Sequence, residues 1–444
     1  YAQSGQRSAA IRQYEECKHE LELELGQSPE KETIALYQHI RNGSYKKTDV
    51  SPQPPKPSPA NSPAQQPLIP TKLYIPHRPA GMVSRQHLIN KLEQGAQRAL
   101  TLISAPAGYG KTTLLSEWVE ILQKRNGPTH WEICWISLGA EDNDPIRFLA
   151  YLSAALGKKR FDKKNKPEEN FHTTDVIQPE TPLSILLNDF QALDQSLLLV
   201  LDDYQFISNP AIHEGINFML EHIPETVHVV LITRSDPPFP LARLRARNQL
   251  IEIRASDLRF SALEINQFLM IGYQLELSAE QIGVLENRTE GWIAGLQLAA
   301  ISMQGRYDLA QFIEGFSGSQ RFIMDYLTEE ALNRLPGKTQ VFLLKTSILE
   351  RLCDSLCEFV LSQTGQMVST PLFMVDEAQF QDEFKSSLAE LERTNLFIVP
   401  LDEERKWYRY HHLFGDLLRS RLEQAYPDLV EVLHHRASEW FEKN

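Results

Sequence analysis

The spacing of apolar residues changes along the chain and predicts its first two segments. In residues 1–45, apolar positions recur at three- and four-residue steps, which places them on one face of each of two helices separated by Gly26 and Pro29. Eight prolines follow within the twenty residues from 51 to 70. Because proline fixes φ and removes a backbone donor, we expect residues 46–72 to form an extended, semi-rigid linker.

Short apolar runs alternate with helical patterns from residue 73 to residue 255. One run, Leu197–Leu201, is continuously apolar, as expected of a strand buried on both faces of a parallel sheet. The alternation predicts an α/β fold in which helices cover both faces of that sheet. We interpret the polar stretch 158–180 as an insertion. The five candidate strands are Leu100–Ser104, Ile133–Leu138, Leu197–Asp202, Val227–Thr233 and Leu250–Ile253.

Helical patterns dominate after residue 255, and we expect a helical domain at 256–335. Further helices lead into Leu396–Pro400, a polar turn and Trp407–Tyr410. Two short strands around a polar turn after helices predict the wing of a winged-helix domain at 336–425. Residues 426–444 resume a helical pattern and would start a further helical region. The predicted fold class is therefore a multidomain α/β plus α protein built around a parallel sheet.

Composition and charge narrow the classes of partner. The chain has 444 residues, which predicts about two to four domains. Its 58 acidic residues outnumber its 45 basic ones and give a net charge of −13. Because this charge repels phosphate backbones, we do not expect this segment to bind nucleic acid. No apolar run approaches the ~18 residues that span a bilayer, and four cysteines make no disulfide scaffold. We expect a piece of a longer cytoplasmic protein with no membrane partner.

The strongest local motif is the run Ala-Pro-Ala-Gly-Tyr-Gly-Lys-Thr from Ala105 to Thr112. It matches the phosphate-binding pattern G-x-x-x-x-G-K-[ST], except that Ala105 replaces the first glycine. It follows a predicted strand and precedes a predicted helix, where backbone N–H groups and the helix dipole can surround an anion. Lys111 would contact the β- and γ-phosphates, and Thr112 would coordinate Mg²⁺. The alternative is a chance glycine turn, which this strand–loop–helix context disfavours.

Two other predicted strands carry charged residues at their C-terminal tips, the edge where α/β sheets bind ligands. Asp202 would hold the metal, and Asp203 would polarise an attacking water. Arg234 would sense the γ-phosphate and so distinguish ATP from ADP. The alternatives are an acidic pair that only caps a strand and an arginine in a surface ion pair. Together with the loop motif, these residues predict a site for ATP or ADP and Mg²⁺.

Other residues receive simpler interpretations. Cys353 and Cys357 lie four apart in a helical pattern, but no second pair at zinc spacing accompanies them, so we expect core thiols. The acidic run 141–144 before a proline is expected to be a solvated helix start rather than a metal site. The tryptophans expected to be core or interface anchors are Trp292, Trp407 and Trp440.

Six motifs, taken together and in order, resemble a known family. They are Ser104–Thr113, Asp142–Pro145, Leu201–Tyr204, Thr233–Arg234, Gly291–Ala299 and Tyr410–Phe414. The set resembles the STAND ATPases of the MalT type, large bacterial transcriptional regulators that bind an inducer and assemble, and it covers roughly residues 70–444. Residues 1–45 resemble the end of the helical, TPR-like bacterial transcriptional activator domain of SARP-type regulators, where that domain follows a DNA-binding winged helix.

The resemblance implies a nucleotide-binding, a helical and a winged-helix domain arranged around ADP in a closed resting state, followed by a helical-repeat sensor. Asp202 and Asp203 would be the acidic Walker B pair, and Arg234 the nucleotide sensor. His411, or His412 if the register differs by one, would contact the β-phosphate of ADP; the alternative for this pair is a core histidine. The remaining implied cofactor residues are Val83 and Arg85 on the adenine side and Ala107, Gly108, Tyr109, Gly110, Lys111, Thr112 and Thr113 at the phosphates, with Gly295–Leu298 as a lid.

The function that the resemblance implies is an ATP/ADP-dependent switch in a bacterial signal-responsive transcriptional regulator. ADP would hold the resting state, and ATP would drive self-association, with slow hydrolysis as a reset. DNA would be bound through a domain outside this segment, and an inducer or regulatory protein through a downstream sensor. Two alternatives stay open: a phosphoryl-transfer enzyme with a small acceptor, and a STAND-type defence effector.

Overall fold

The computed structural model divides the chain into two compact units, Tyr1–Gln66 and Pro67–Asn444. The residues that it describes are 14, 37–38, 68–79, 81–125, 131–157, 195–362 and 388–444. In the first unit the rings of Tyr14 and Tyr37 stack at a centroid distance of 4.0 Å. Most of the predicted helical segment and linker, and the predicted insertion, lie outside the described residues. A short 3₁₀ helix, Pro70–Leu73, begins the second unit.

A five-stranded parallel sheet organises the second unit. Its strands are β1 (Leu100–Ser104), β2 (Trp131–Ser137), β3 (Ser196–Asp202), β4 (Val227–Thr233) and β5 (Leu250–Arg254). The strand order is β2-β3-β4-β1-β5, so β4 lies between β3 and β1. All five predicted strands are present, and their limits differ from the prediction by at most two residues. The C-terminal tips of β1, β3 and β4 therefore meet at one edge of the sheet.

Helices cover both faces of this sheet, as predicted. They are α1 (Gln86–Gly95), α2 (Lys111–Lys124), α3 (Pro145–Gly157), α4 (Pro210–His222) and α5 (Leu241–Ala246). Neighbouring residues of β1 are buried on opposite faces, because side chains alternate along a strand. Ile103 belongs to one apolar core with Trp118 of α2, and Leu102 belongs to a second core with Met219 of α4.

Helices replace strands after β5, also as predicted. They are α6 (Ala255–Leu258), α7 (Ala262–Tyr273), α8 (Ala279–Thr289), α9 (Ile293–Met303), α10 (Leu309–Glu314) and α11 (Arg321–Leu327), followed by a π-helical turn, Thr328–Leu332. Ser261 and Ser278 cap the starts of α7 and α8. After α8, Glu290 and Gly291 both take a left-handed φ, and the chain reverses into α9 with Trp292 at its N-cap.

A two-stranded antiparallel wing follows, as the sequence predicts. Its strands are β6 (Ile398–Pro400) and β7 (Tyr408–Tyr410). The helices around it are α12 (Gly337–Thr346), α13 (Asp354–Leu361), α14 (Leu388–Arg393), α15 (His412–Ala425) and α16 (Pro427–Lys443). Cys353 precedes α13 rather than lying within a helix, but both it and Cys357 are buried as expected.

Two kinds of feature are absent from the part of the chain that the structure describes. No group of three or more histidine, cysteine, aspartate or glutamate residues is placed to hold a metal ion there. Among the same residues, no helix has the length and apolar character needed to cross a bilayer.

The acidic run 141–144 precedes a helix, and Glu141 and Asp144 are exposed as predicted, but Asp142 departs from the prediction of a solvated helix start. Asp142 is completely buried, and its carboxylate pairs with Lys72 and, at 3.0 Å, with Arg147. Its Oδ2 also accepts a hydrogen bond of 2.8 Å from the backbone N–H of Gly139. The prediction was wrong for Asp142 because Lys72, its partner, comes from a distant part of the sequence. Asp142 joins the loop after β2 to the 3₁₀ helix that begins the unit.

Replacing Asp142 by Asn should destabilise the fold by roughly 3 kcal/mol, because two largely buried cations, Lys72 and Arg147, lose the buried carboxylate that they share. Glu141 also contacts Lys72, at 2.5 Å, but its side chain is half exposed. Glu141→Gln is therefore the matched control and should cost less than about 1 kcal/mol. Urea unfolding followed by circular dichroism measures both variants. Equal, small changes would contradict the role assigned to Asp142.

Candidate functional site

The loop between β1 and α2, residues 105–110, presents a row of unused backbone donors. Gly108 and Gly110 adopt left-handed φ angles of +74° and +76°, which turns successive peptide N–H groups toward one side. Among the described residues, no protein acceptor bonds the backbone N–H groups of residues 107–113. The next one, of Leu114, bonds to the carbonyl of Gly110. Seven adjacent donors at a helix N-terminus form a site suited to an anion.

Ala105 replaces the first glycine of the motif without backbone strain. Its φ lies outside the left-handed region, so the position does not require glycine. Its side chain is completely buried, and its backbone N–H bonds to the carbonyl of Thr233 in β4 at 3.3 Å. The departure from the motif therefore leaves the geometry of the β1–α2 loop intact.

Lys111, the first residue of α2, holds its ammonium group against the β1–α2 loop. Its Nζ donates to the carbonyl oxygens of Ala105 and Pro106, both at 2.8 Å. Burial and, after it, the positive charge of Arg234 lower the pKa of Lys111 to about 8. Two carbonyl dipoles stabilise the cation less than an anion would, so the site favours an anionic ligand.

Asp202 lies at the tip of β3 beside the start of α2. The Thr112 hydroxyl donates to its two carboxylate oxygens at 3.3 and 3.2 Å. Burial and the neighbouring charge of Asp203 raise the pKa of Asp202 to about 7. Asp203 itself takes a left-handed φ of +58°, and its carboxylate accepts a hydrogen bond from Gln205 at 2.7 Å. Hydroxyl and carboxylate oxygens are the ligands that Mg²⁺ prefers, so Thr112 and Asp202 fit this ion.

Arg234 reaches the same edge of the sheet from the tip of β4. Its guanidinium pairs with the carboxylate of Glu330 at 3.0 Å, and its backbone N–H donates to the side chain of Gln205. Glu330 lies on the π-helical turn, and no sequence motif identified it. The structure thus brings Lys111, Asp202 and Arg234 to one edge and ties Arg234 to a later part of the chain.

His411 is the buried member of the two candidate histidines, whereas the side chain of His412 is half exposed. Its Nε2 donates to the carbonyl of Thr289 at 3.0 Å, and its Nδ1 has no hydrogen-bond partner among the described residues. Burial lowers the pKa of His411 to about 4, so the ring is neutral at pH 7. The ring meets that of Trp292 at 5.9 Å, and Trp292 Nε1 donates to the carbonyl of Ala107 at 3.0 Å. Trp292 therefore contacts both His411 and the β1–α2 loop.

The predicted adenine-side residues lie just before α1. Val83 is buried. The guanidinium of Arg85 donates to the carbonyl oxygens of Leu258 and Arg259 and pairs with Glu264 at 2.9 Å. These contacts attach the segment before α1 to α6 and α7. A direct contact of Val83 or Arg85 with a nucleotide stays a prediction.

The wing touches the sheet edge through a residue that the sequence did not single out. The side-chain amide of Asn395 donates to the Ser104 hydroxyl at 3.0 Å and to the carbonyl of Arg234 at 2.9 Å. Asn395 precedes β6 and has a φ of +51°, a conformation that asparagine tolerates well. That tolerance is the one local signal that could have marked it. Asn395 connects the tips of β1 and β4 to the wing.

A second connection between the β1–α2 loop and the wing centres on Glu290. Its carboxylate pairs with Arg259 at 3.0 Å and with Arg409 of β7 at 2.6 and 3.0 Å, and it accepts from the backbone N–H of His412. Burial opposes its ionisation, but the hydrogen bond and charge of Arg409 lower the pKa of Glu290 to about 2. Burial raises the pKa of Tyr109 of the loop to about 12, and the nearby positive charge of Arg259 opposes that shift.

Comparisons with known proteins match two family models and a group of curated relatives. Residues 328–430 match the MalT winged helix domain, and residues 1–41 match the bacterial transcriptional activator domain. The HTH-type transcriptional regulator MalT of Yersinia enterocolitica is 33% identical over 376 residues, which are 84% of this chain and 38% of that protein. MalT of Cronobacter sakazakii is 33% identical over 377 residues, 84% of this chain and 39% of that protein. The chain thus spans about two fifths of the length of these relatives.

Two solved structures show a distant likeness. A STAND protein with a tetratricopeptide repeat sensor from Pyrococcus horikoshii is 14% identical, with a TM-score of 0.37 over 84% of this chain and 47% of its own. A Walker-type ATPase of Pyrococcus abyssi is 15% identical, with a TM-score of 0.47 over 78% of this chain and 99% of its own.

Replacing Glu290 by Gln should destabilise the protein at neutral pH by on the order of 2 kcal/mol. The folded pKa of about 2 lies below the ordinary 4.5, so ionised Glu290 adds stability above about pH 4.5 that is lost as the pH falls toward 2. The difference from wild type should therefore shrink over that range in urea unfolding at graded pH. Glu404→Gln, from an exposed pair with Lys406, is the control. A pH-independent difference would contradict the assignment.

Proposed function

Since this chain is homologous to the MalT-type transcriptional regulators over 84% of its length, we propose that its β1–α2 loop binds ATP or ADP as a switch in transcriptional regulation. The observation that carries the proposal is the row of backbone N–H donors at residues 107–113, which have no protein acceptor among the described residues, beside the buried ammonium of Lys111. The phosphates of a nucleotide match these donors in charge and in hydrogen-bonding capacity.

Each predicted residue would have a distinct task at a bound nucleotide. The backbone N–H groups of the β1–α2 loop would bind the phosphates, and Lys111 would exchange its two carbonyl partners for phosphate oxygens. Thr112 and Asp202 would hold Mg²⁺, which when bound neutralises phosphate charge. Asp203 would orient a water, and the resulting slow hydrolysis would reset the switch.

His411 would contact ADP from the winged-helix side in the resting state. Its Nε2–H is bonded to the carbonyl of Thr289, so its unpartnered Nδ1 is the atom available to a phosphate. Nδ1 donates to a phosphate only when the ring is protonated. A neighbouring phosphate would raise the pKa of His411 from about 4 and so favour that form.

ATP would be distinguished from ADP through Arg234. Its guanidinium contacts Glu330, so a γ-phosphate would compete with that carboxylate. Loss of the Glu330 contact would weaken the attachment of the winged-helix segment to the sheet edge. Reversing a two-state equilibrium from 1:99 to 99:1 takes about 5.5 kcal/mol of differential binding. A few charge-assisted hydrogen bonds supply that amount.

In the whole protein, we propose three further interactions that follow from the switch. Release of the winged-helix segment would expose a face for self-association, and an inducer or regulatory protein would act on a downstream sensor. DNA would be bound by a domain outside this segment, in keeping with relatives named HTH-type transcriptional regulators. The protein would act in the cytoplasm. The net charge of −13 supports a switching role for this segment rather than contact with DNA.

Lys111→Ala should abolish nucleotide binding, because it removes the cation that faces the phosphates. ADP at a hundredfold excess over its Kd should stabilise the wild type by about 2.7 kcal/mol and the variant by nothing measurable. Lys124→Ala, at the exposed end of the same helix, is the matched control. Thermal unfolding with and without Mg-ADP, and assay of nucleotide in the purified protein, measure this.

Two results together would rule out the proposal. The purified wild type would carry no nucleotide, and the wild type and Lys111→Ala would have equal melting temperatures in the presence of Mg-ADP. Transfer of phosphate to an acceptor other than water would instead support the phosphoryl-transfer alternative.

Glu330→Gln should shift the preference of the site toward ATP. Without the carboxylate, Arg234 is free for the γ-phosphate, and we expect the ratio of ATP to ADP affinity to rise about tenfold, which is ~1.4 kcal/mol. Titration with fluorescent ATP and ADP measures the ratio. Glu329→Gln, at the exposed neighbouring position, is the control. An unchanged ratio in Glu330→Gln would show that Arg234 does not exchange Glu330 for phosphate.

A further inference from the structure

Two hydrogen bonds hold the outer side of the β1–α2 loop. The indole Nε1–H of Trp292 donates to the carbonyl of Ala107 at 3.0 Å, and the backbone N–H of Ala294 donates to the carbonyl of Gly108 at 3.1 Å. In a trans peptide the N–H points opposite to the C=O. Holding these two carbonyls toward α9 therefore turns the N–H groups of Gly108 and Tyr109 away from α9, into the row of unpaired donors.

We propose that Trp292 is a positioning residue for the β1–α2 loop. Its indole N–H orients the peptide plane from which the phosphate-binding amide of Gly108 projects. The inference rests on the proposed nucleotide function and adds a residue that lies 185 positions from the loop in sequence. Trp292 would act on the nucleotide through the carbonyl of Ala107.

The close fit between the β1–α2 loop and α9 supports this role. A Cβ on Gly108 would lie 2.5 Å from the Cβ of Ala294 and 2.9 Å from both Trp292 Nε1 and Tyr326 Oη. Trp292 is completely buried, and the rings of Tyr326 and Phe397 pack on it at centroid distances of 5.6 and 5.4 Å. Its side chain is therefore held in one orientation, which a positioning hydrogen bond requires.

The same ring links the β1–α2 loop to the wing. Phe397 and His411, which flank the wing strands, both meet Trp292 at steep interplanar angles of 80° and 75°. Undocking of the wing would remove these contacts and free the indole to leave the carbonyl of Ala107. Trp292 thereby couples the geometry of the β1–α2 loop to docking of the wing, so phosphates should bind more tightly when the wing is docked.

Trp292→Phe tests the inference, because it keeps a buried aromatic ring and removes the N–H donor. Trp118→Phe is the matched control, since Trp118 is equally buried and its Nε1–H has no hydrogen-bond partner among the described residues. Calorimetric titration with ADP and with pyrophosphate measures binding. The melting temperature of the nucleotide-free protein separates binding from stability.

We expect Trp292→Phe to weaken the binding of ADP and of pyrophosphate about tenfold each, and Trp118→Phe to leave both unchanged. The nucleotide-free melting temperatures of the two variants should fall by similar amounts. Wild-type affinity in Trp292→Phe, or equal weakening in both variants, would overturn the inference alone. Wild-type protein that binds neither probe would overturn the proposed function and the inference with it.

If Trp292→Phe does not fold, Ala294→Pro decides the question. Proline is tolerated in the first turn of a helix, and it removes the second N–H donor to the β1–α2 loop. A loss of pyrophosphate affinity of about tenfold supports the positioning of the loop by α9. Unchanged pyrophosphate affinity overturns it.

Discussion

The rest of this structure depends on one constraint: at the edge of the parallel sheet, a row of backbone N–H groups has no protein acceptor among the described residues. Two left-handed glycines and the start of α2 hold seven N–H groups without a protein acceptor among the described residues. Backbone donors that find no partner are costly, so a loop of this shape needs support from its neighbours. Trp292 and Ala294 supply that support from outside, and Lys111 bonds two of its carbonyls. The binding capacity for an anion thus resides in the backbone.

The charged residues beside the β1–α2 loop are biased toward their neutral forms. Burial lowers the pKa of Lys111 to about 8 and raises that of Asp202 to about 7. Each shift reverses when an opposite charge arrives, so a phosphate favours the ammonium ion and a divalent cation favours the carboxylate. A site of this kind responds to the charge of its ligand as well as to its shape. That property is what the proposed switch between two nucleotides with different numbers of phosphates requires.

Polar contacts join the winged-helix segment 328–430 to the sheet edge and to the helical region before it, alongside apolar packing around Trp292. Arg234 pairs with Glu330, Asn395 bridges the tips of β1 and β4, and Glu290 pairs with two arginines. Charge-assisted contacts can be exchanged for phosphate contacts of similar strength, whereas a purely apolar interface does not sense ligand charge. The arrangement explains how one additional phosphate could change the docking of a neighbouring domain.

The sequence by itself determined the features that local patterns encode: the five strands, the wing, and the β1–α2 loop with its glycines, lysine and threonine. It also predicted Asp202 and Arg234, because parallel strands bring their C-terminal tips to one edge. Five residues acquired their roles only in the tertiary structure: Asp142, Glu290, Trp292, Glu330 and Asn395. Each pairs with groups far away in sequence, as Asn395 does with Ser104 at a separation of 291 residues. Burial and ion pairing are properties of position in space, so no local spacing of residue types could reveal them.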